Sequence, residues 1–179
     1  YFMKYKKYPP SLKKQVLNEL KKIEKHMGQR FGSDSNPLLV SIRSGAKISM
    51  PGMMETVLNV GLNNQSVKGL LNQSNNKRFV YDSYRRLIMM YADVVMEKSN
   101  NLDCDIRIKL EKIMEALKKD KKIINDTALD GNDYEKLSVE FIKTIQLVLG
   151  TAFPQDPFDQ LWGAIDAVFK SWNGNRAHN

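Results

Sequence analysis

The sequence predicts an α+β fold in which helices dominate. Several long stretches carry apolar residues at helical spacing, one short run is dense in strand formers, and a glycine- and methionine-containing segment follows that run. The chain has 179 residues, enough for one domain with a real core or one domain carrying a small insertion. Hydrophobic residues make up 42% and charged residues 27%, the composition of an ordinary globular protein.

The first helix follows Pro9 and Pro10, with Ser11 as its N-cap. Leu12, Val16, Leu20, Ile23 and Met27 form its apolar stripe, and Gly28 ends it. Residues 32–37 read as a loop, and Leu38 to Ile42 as a short buried strand. Arg43 to Glu55 is irregular, with Gly45, Pro51 and Gly52 among Met50, Met53 and Met54. Thr56 to Leu62 suits either a second strand or a helical turn. Helices then take over. A short one covers Gln65 to Leu71, and a long one covers Phe79 to Met96 with Tyr84, Leu87, Ile88, Tyr91, Val94 and Val95 on one face. Ile106, Leu110, Ile113, Met114 and Leu117 mark another, and Tyr134, Leu137, Phe141, Ile145 and Val148 the next. The last is the best specified. Asp156 caps it, Pro157 opens it, and Phe158, Leu161, Trp162, Ile165, Val168, Phe169 and Trp172 form its stripe.

Composition narrows the function. No apolar run reaches the roughly 18 residues of a membrane span, so no membrane partner is expected. The single cysteine, Cys104, allows no internal disulfide and fits a cytoplasmic setting. His26 and His178 lie far apart and make no metal site. The net charge of +8 comes from lysines spread along helix faces or gathered in Lys118 to Lys122, read as a solvated helix end. No nucleic-acid-binding motif accompanies them, so a polyphosphate or an acidic partner domain is the better match. The absence of an initiator Met suggests a fragment.

The candidate site is the segment after the first strand. Arg43 offers a planar, always-charged fork suited to phosphate. Backbone N–H groups near Gly45 and Gly52 can approach phosphate oxygens closely, because no side chain blocks them. Ser44 and Ser49 add hydroxyls, Lys47 a mobile charge, and the methionines, Met53 among them, can fill gaps or exclude water. A structural turn with one surface arginine accounts for the same residues equally well. The spacing is neither a P-loop nor a dinucleotide motif. Asp82, Asp93 and Asp103, like Glu55, read as surface or capping acids, with Asp82, Asp93 or Glu97 a partner for Arg85 or Arg86.

These residues carry a resemblance. The run Leu39-Val40-Ser41-Ile42-Arg43-Ser44-Gly45-Ala46-Lys47-Ile48-Ser49-Met50-Pro51-Gly52-Met53-Met54-Glu55-Thr56-Val57-Leu58-Asn59-Val60-Gly61-Leu62 resembles the signature loop of the pyruvate, phosphate dikinase family. Lys7 to Pro10, Arg78 to Arg86, Phe153 to Pro157, Gln160 to Ile165 and Val168 to Asn173 also resemble that family, in the same order. The resemblance implies a partial ATP-grasp nucleotide-binding lobe, a few-stranded sheet with helices, carrying an all-helical insertion. It implies ATP and Mg²⁺ as ligands, and transfer of the ATP β-phosphoryl group to a histidine on a separate domain of the same chain. Orthophosphate takes the γ-phosphoryl group, and the phosphohistidine then phosphorylates pyruvate. It implies a homodimeric full enzyme. Arg43 matches the arginine that contacts the ATP phosphates, and Ser49 to Met53 match the loop that covers them.

Lys47 stands where the family has arginine, Glu55 where it has aspartate, and Lys170 where arginine is expected. The family's Gly-Gly-Lys-Gly segment, its Mg²⁺ ligands and its Thr-Ser-His carrier are not found here. The expectation is therefore a fragment that is inactive alone. Residues 1–62 and 150–179 would form part of the nucleotide-binding lobe, and residues 63–149 the insertion. Arg85, Arg86 and Lys170 would dock the histidine domain. The rivals are a phosphoenolpyruvate synthase-like kinase fragment, separable by orthophosphate-independent transfer, and a non-catalytic helical interaction module, separable by ATP binding.

Overall fold

A computed structural model describes residues 1–45 and 56–171 of the chain. It is α+β and mostly helical. A short helix α1 (Phe2–Tyr5) leads into α2 (Leu12–Met27), which ends at Gly28. Ser11 precedes α2 without a side-chain capping bond; the Leu12 N–H donates instead to the Pro9 carbonyl at 3.0 Å. Only Leu20 of the expected stripe is fully buried, while Ile23 and Met27 are 44% and 56% exposed. The helix meets the rest near its C-terminal end, where the Glu24 carboxylate accepts the Phe31 N–H at 2.8 Å.

Strand β1 (Arg30–Phe31) pairs in parallel with β2 (Pro37–Leu38), and β3 (Val40–Ile42) pairs antiparallel with β4 (Val57–Val60). The strand expected over 38–42 thus breaks at Leu39 and changes partner. The turn from β1 lets Pro37 and Leu38 reach back to it: the Ser33 hydroxyl accepts from the Ser35 and Asn36 N–H groups. The ambiguous 56–62 stretch is a strand. It ends at Gly61, whose φ of 111° belongs to glycine and whose missing Cβ leaves room for the Phe31 ring.

Helices α3 (Ser66–Ser74), α4 (Lys77–Tyr91), α5 (Ile106–Asp120) and α6 (Gly131–Leu149) follow, then α7 (Pro157–Ser171). Their ends are well satisfied. The Asn76 side chain accepts the Phe79 N–H at 2.9 Å. Asp130 and Asp133 form a reciprocal capping box at α6. The Asp156 carboxylate accepts from Phe158 and Asp159, as the sequence led us to expect. The long helix does not run on to Met96 as an α-helix. It becomes π-helical over Ala92–Glu97, a change that no residue in the sequence announces.

The core lies between α4 and α6. Tyr84, Leu87, Ile88 and Tyr91 face Tyr134, Leu137, Phe141 and Ile145, none more than 3% exposed. Burying each such side chain contributes on the order of 1.5–3 kcal/mol. Phe153 adds edge-on ring contacts to Tyr84 and Tyr91. The core continues without a break to Val57, Val60 and Phe31 of the strands.

On α7 the large residues do not make the closest contacts. Gln160, Leu161, Ala164 and Ala167 are buried, whereas Phe158 is 39% exposed and Trp162, Ile165, Val168 and Phe169 are half-buried. Trp172 lies outside the described residues. Small residues win because the helix comes in close: the Tyr91 hydroxyl fills the space beside Gly163.

Two acids read as surface or capping groups need separating. Asp103 is exposed, but Asp93 is buried and accepts from Lys98 at 3.0 Å and Arg107 at 3.3 Å. Nearby, the buried Glu97 accepts the Cys104 and Ile106 N–H groups, so it caps α5 from a distance. Lys118 also departs from the expected solvated helix end. Its side chain is 10% exposed and is bridged to Glu115 and Asp126.

Gly69 gives a test of helix packing. On an open helix Gly→Ala stabilises by about 1 kcal/mol. Here an added Cβ meets the Asp34 carbonyl carbon at 2.7 Å and its oxygen closer still. Gly69→Ala is therefore expected to destabilise by about 1–3 kcal/mol, read as a lower urea midpoint at unchanged slope.

A second test uses alkali. Burial pushes the Tyr84 hydroxyl up to about 12. An unfolded tyrosine ionises near 10, so above that pH the unfolded chain holds fewer protons than the folded one. Its contribution is whole below about pH 10 and is lost as pH rises towards 12. Urea midpoints should fall between about pH 10 and 12, and Tyr84→Phe should flatten that fall; an equal slope in the variant would show that Tyr84 is not responsible.

Candidate functional site

Ile42 is the last residue of β3 and pairs with Val57, the first residue of β4. Arg43 follows at once and is exposed at the strand's open end. Ser44 is half-buried, and Gly45 is exposed with nothing within 4 Å of where a Cβ would stand. A guanidinium and an unobstructed stretch of backbone therefore sit together at one edge of the sheet. Lys47, Ser49, Gly52 and Met53 lie outside the described residues.

The scaffold beneath this edge is held by polar ties. Gln160, fully buried on α7, accepts the Gly61 N–H at 2.9 Å and donates to the Leu62 and Pro154 carbonyls at 2.8 and 2.9 Å. The Asn63 side chain accepts the Ser66 N–H at 2.7 Å and donates to the Gln155 carbonyl at 2.8 Å. The Ser66 hydroxyl donates to the Gly61 carbonyl at 2.9 Å. Gln155 in turn accepts the Asn64 N–H at 2.9 Å. Among the described residues no buried side-chain nitrogen or oxygen lacks a partner. Sequence reasoning missed these amides. Their one signal was an uncharged polar residue, Gln160, directly beside the apolar Leu161.

The three residues expected to dock a partner domain fare differently. Arg85 is only 5% exposed and belongs to the interior. It donates to Asp82 at 2.5 Å, stands 5.2 Å over the Tyr134 ring and reaches the Met114 sulfur. With its guanidinium turned inward against Asp82 and Tyr134, it offers almost no surface to another domain. Arg86 shares Asp82 but is exposed. Lys170 is half-exposed and paired with Asp166 at 2.8 Å. Asp166 also accepts a hydrogen bond from Tyr8, and burial together with that carboxylate pushes the Tyr8 hydroxyl well above its usual range.

Two surface hollows among the described residues lie away from this strand end. One of about 470 Å³ is lined by Tyr8, Leu12, Trp162 and Asp166, and one of about 400 Å³ by Tyr91, Met96, Asn100 and Thr151. Neither is bordered by Arg43, Ser44 or Gly45. The strand end is preferred because it joins a permanent cation to open backbone at a sheet edge. Among the described residues no cluster of three or more His, Cys, Asp or Glu side chains could hold a metal ion. Also among them, no helix is long and apolar enough to cross a membrane.

The family model for the pyruvate phosphate dikinase AMP/ATP-binding domain matches residues 3–179. The chain belongs to that family. It is 43% identical over 178 residues to the pyruvate, phosphate dikinase of Clostridium symbiosum, covering 99% of this chain and 20% of that protein. It is 45% identical over 177 residues to the Rhizobium meliloti enzyme, covering 99% of this chain and 19% of that one. It is 46% identical over 174 residues to the chloroplastic pyruvate, phosphate dikinase 1 of Arabidopsis thaliana, covering 97% and 17%. The chain thus spans about a fifth of the length of the curated relatives it matches. Within this AMP/ATP-binding family member, Arg43 is the described site residue that the structure leaves exposed at the end of a strand.

Gln160→Leu tests the scaffold. It keeps the volume but strands the Gly61 N–H and the Leu62 carbonyl. Each stranded group costs about 1–3 kcal/mol. A loss of about 2–6 kcal/mol is expected in urea unfolding; a loss under about 1 kcal/mol would mean that water replaces the amide.

Proposed function

We propose that this chain supplies one phosphate-binding wall of an ATP-grasp nucleotide site, within a longer pyruvate, phosphate dikinase. One observation carries the reading: in a member of an AMP/ATP-binding family, Arg43 stands exposed where β3 ends, and open backbone at Gly45 follows. A guanidinium donates two parallel N–H bonds to phosphate oxygens, and backbone N–H groups add further donors. Ser44 belongs to the same wall. Lys47, Ser49, Gly52 and Met53 join it on the strength of the sequence alone.

On this reading a histidine of another domain attacks the ATP β-phosphorus, the bond to the α-phosphate breaks and AMP leaves. Orthophosphate takes the γ-phosphoryl group and departs as diphosphate, and the remaining phosphohistidine phosphorylates the pyruvate enol oxygen to give phosphoenolpyruvate. The present residues hold and orient the triphosphate, and they stabilise its charge as the bond to the β-phosphorus breaks. Magnesium would neutralise charge on the phosphates, but the described residues offer it no donor set. Its protein ligands are assigned to other parts of the longer protein, and no step is drawn through it.

Titration calorimetry of the full-length protein with ATP·Mg²⁺ tests the reading. Arg43→Ala should weaken binding about 10–100-fold, the equivalent of losing a charged hydrogen bond, with the helical circular dichroism unchanged. Arg43→Lys should fall between, since it keeps the charge and loses the fork. Unchanged affinity in Arg43→Ala would sink the proposal. The 179-residue chain alone should bind more weakly than the full protein and transfer no phosphoryl group.

A further inference from the structure

The β3–β4 pairing contains an irregularity directly beneath the candidate site. Val40 pairs with Val60, and Ile42 pairs with Val57. Two steps along β3 therefore match three steps along β4, so β4 carries one extra residue. In a regular strand residues three apart point to opposite faces, yet Val57 and Val60 are both fully buried. The extra residue is absorbed at Leu58-Asn59. Leu58 is turned outward, 42% exposed, and Asn59 sits at φ 59°, in the left-handed region. Asparagine tolerates that region better than other residues with a side chain, and a β-branched residue tolerates it least. The Asn59 amide also points at the Ser83 carbonyl of α4 at 3.5 Å, the long limit of a hydrogen bond.

We infer that Asn59 is a positioning residue for ATP binding: its left-handed bulge sets the register of β4 against β3, and so fixes where Arg43 leaves the sheet. This rests on the phosphate-binding reading of Arg43. The geometry is direct. The Ile42–Val57 pair is the last one before Arg43, and it is in register only because the bulge has already taken up one residue. If Asn59 returned to extended backbone, either Val57 would rotate out of the core or the pair would slip by one residue. The second outcome turns residue 42 over and carries Arg43 to the opposite face of the sheet. Val57 and Val60 are both fully buried and a regular strand keeps only one of them inside, so a local distortion at the strand end beside Arg43 is the cheaper response.

The test uses the full-length protein, ATP·Mg²⁺ titration and a double-mutant cycle. Asn59→Val, which resists the left-handed conformation, should weaken ATP binding by about fivefold or more. Asn59→Gly, which accepts it freely, should stay within about twofold of wild type. In an Arg43→Ala background Asn59→Val should change ATP affinity by less than about twofold, because the group it positions is gone. A merely structural role would lower the melting temperature equally in both backgrounds and would show no such coupling. Should Asn59→Val fail to fold, Asn59→Ala makes the same comparison with a smaller expected effect. Wild-type ATP affinity in Asn59→Val, alongside a weakened Arg43→Ala, overturns the inference and leaves the phosphate reading standing. Equal losses with and without Arg43 also overturn it. Unchanged affinity in Arg43→Ala itself brings down both.

Discussion

The Gln160 side-chain amide is shut away from water, and it ties helix α7 to the chain leaving β4. The neighbouring structure depends on this tie. At Gly61 and Leu62 the chain has left the strand ladder and has not yet entered α3, so two backbone groups there would otherwise be buried without partners. A side chain that both accepts and donates meets the two needs at once, and its second donor bond holds Pro154. Residue 160 is brought to residue 61 across 99 positions of sequence. The Asn63–Gln155 bond repeats the tie one turn away. The entry to residues 63–149 and the exit from them are therefore stitched together at the base, while the α4–α6 core fills the space between.

Much of the helical architecture was legible because apolar periodicity carries it. Tyr84, Leu87, Ile88 and Tyr91 recur at helical spacing and are buried, as are Tyr134, Leu137, Phe141 and Ile145. Caps with a stereochemical signature, such as Asp156 ahead of Pro157, were also readable. What failed shares a cause. Periodicity says that a stripe is apolar, but not how near its neighbour comes. On α7 the closest approach is made by Gly163, Ala164 and Ala167, so the larger residues of the stripe were displaced towards the rim. On α2 the stripe at Ile23 and Met27 meets nothing among the described residues that buries it. The π-helical segment and the β4 bulge arise from register, which no single residue type declares.

The candidate site was legible in a narrower sense. Arg43 and its glycine neighbour stood out by residue type, and the structure puts them at the exposed end of a strand. The polar groups that support the strand did not stand out. Asn59, Asn63, Gln155 and Gln160 are neutral, common and unremarkable in spacing, and their roles appear only when partners distant in sequence are brought together. Charge was a mixed guide. The expected pairing of Arg85 or Arg86 with Asp82 is present for both, but Arg85 is buried rather than free to dock, and Lys118, read as part of a solvated helix end, is folded in against Glu115 and Asp126. The excess of +8 is therefore a poor map of where an anion would bind.

Pre-organisation links these features. An arginine on a free loop must give up rotamer and backbone freedom when it meets an anion, and that loss comes out of the binding energy. Arg43 instead begins directly after a strand that is held along its length. Its partner strand β4 is constrained at one end by Gln160 and in the middle by the bulge at Asn59, and its two buried valines clamp both constraints to the core. The strand itself is short, four residues in β4 against three in β3, so pairing alone could not fix its register. The groups that fix it are the Gln160 side chain of α7 and the Ser83 carbonyl of α4, which faces the Asn59 amide. The direction in which the chain leaves β3 at Arg43 is in this sense tied to the helical packing, because Gln160 of α7 and the buried valines of β4 hold the strand that β3 pairs with.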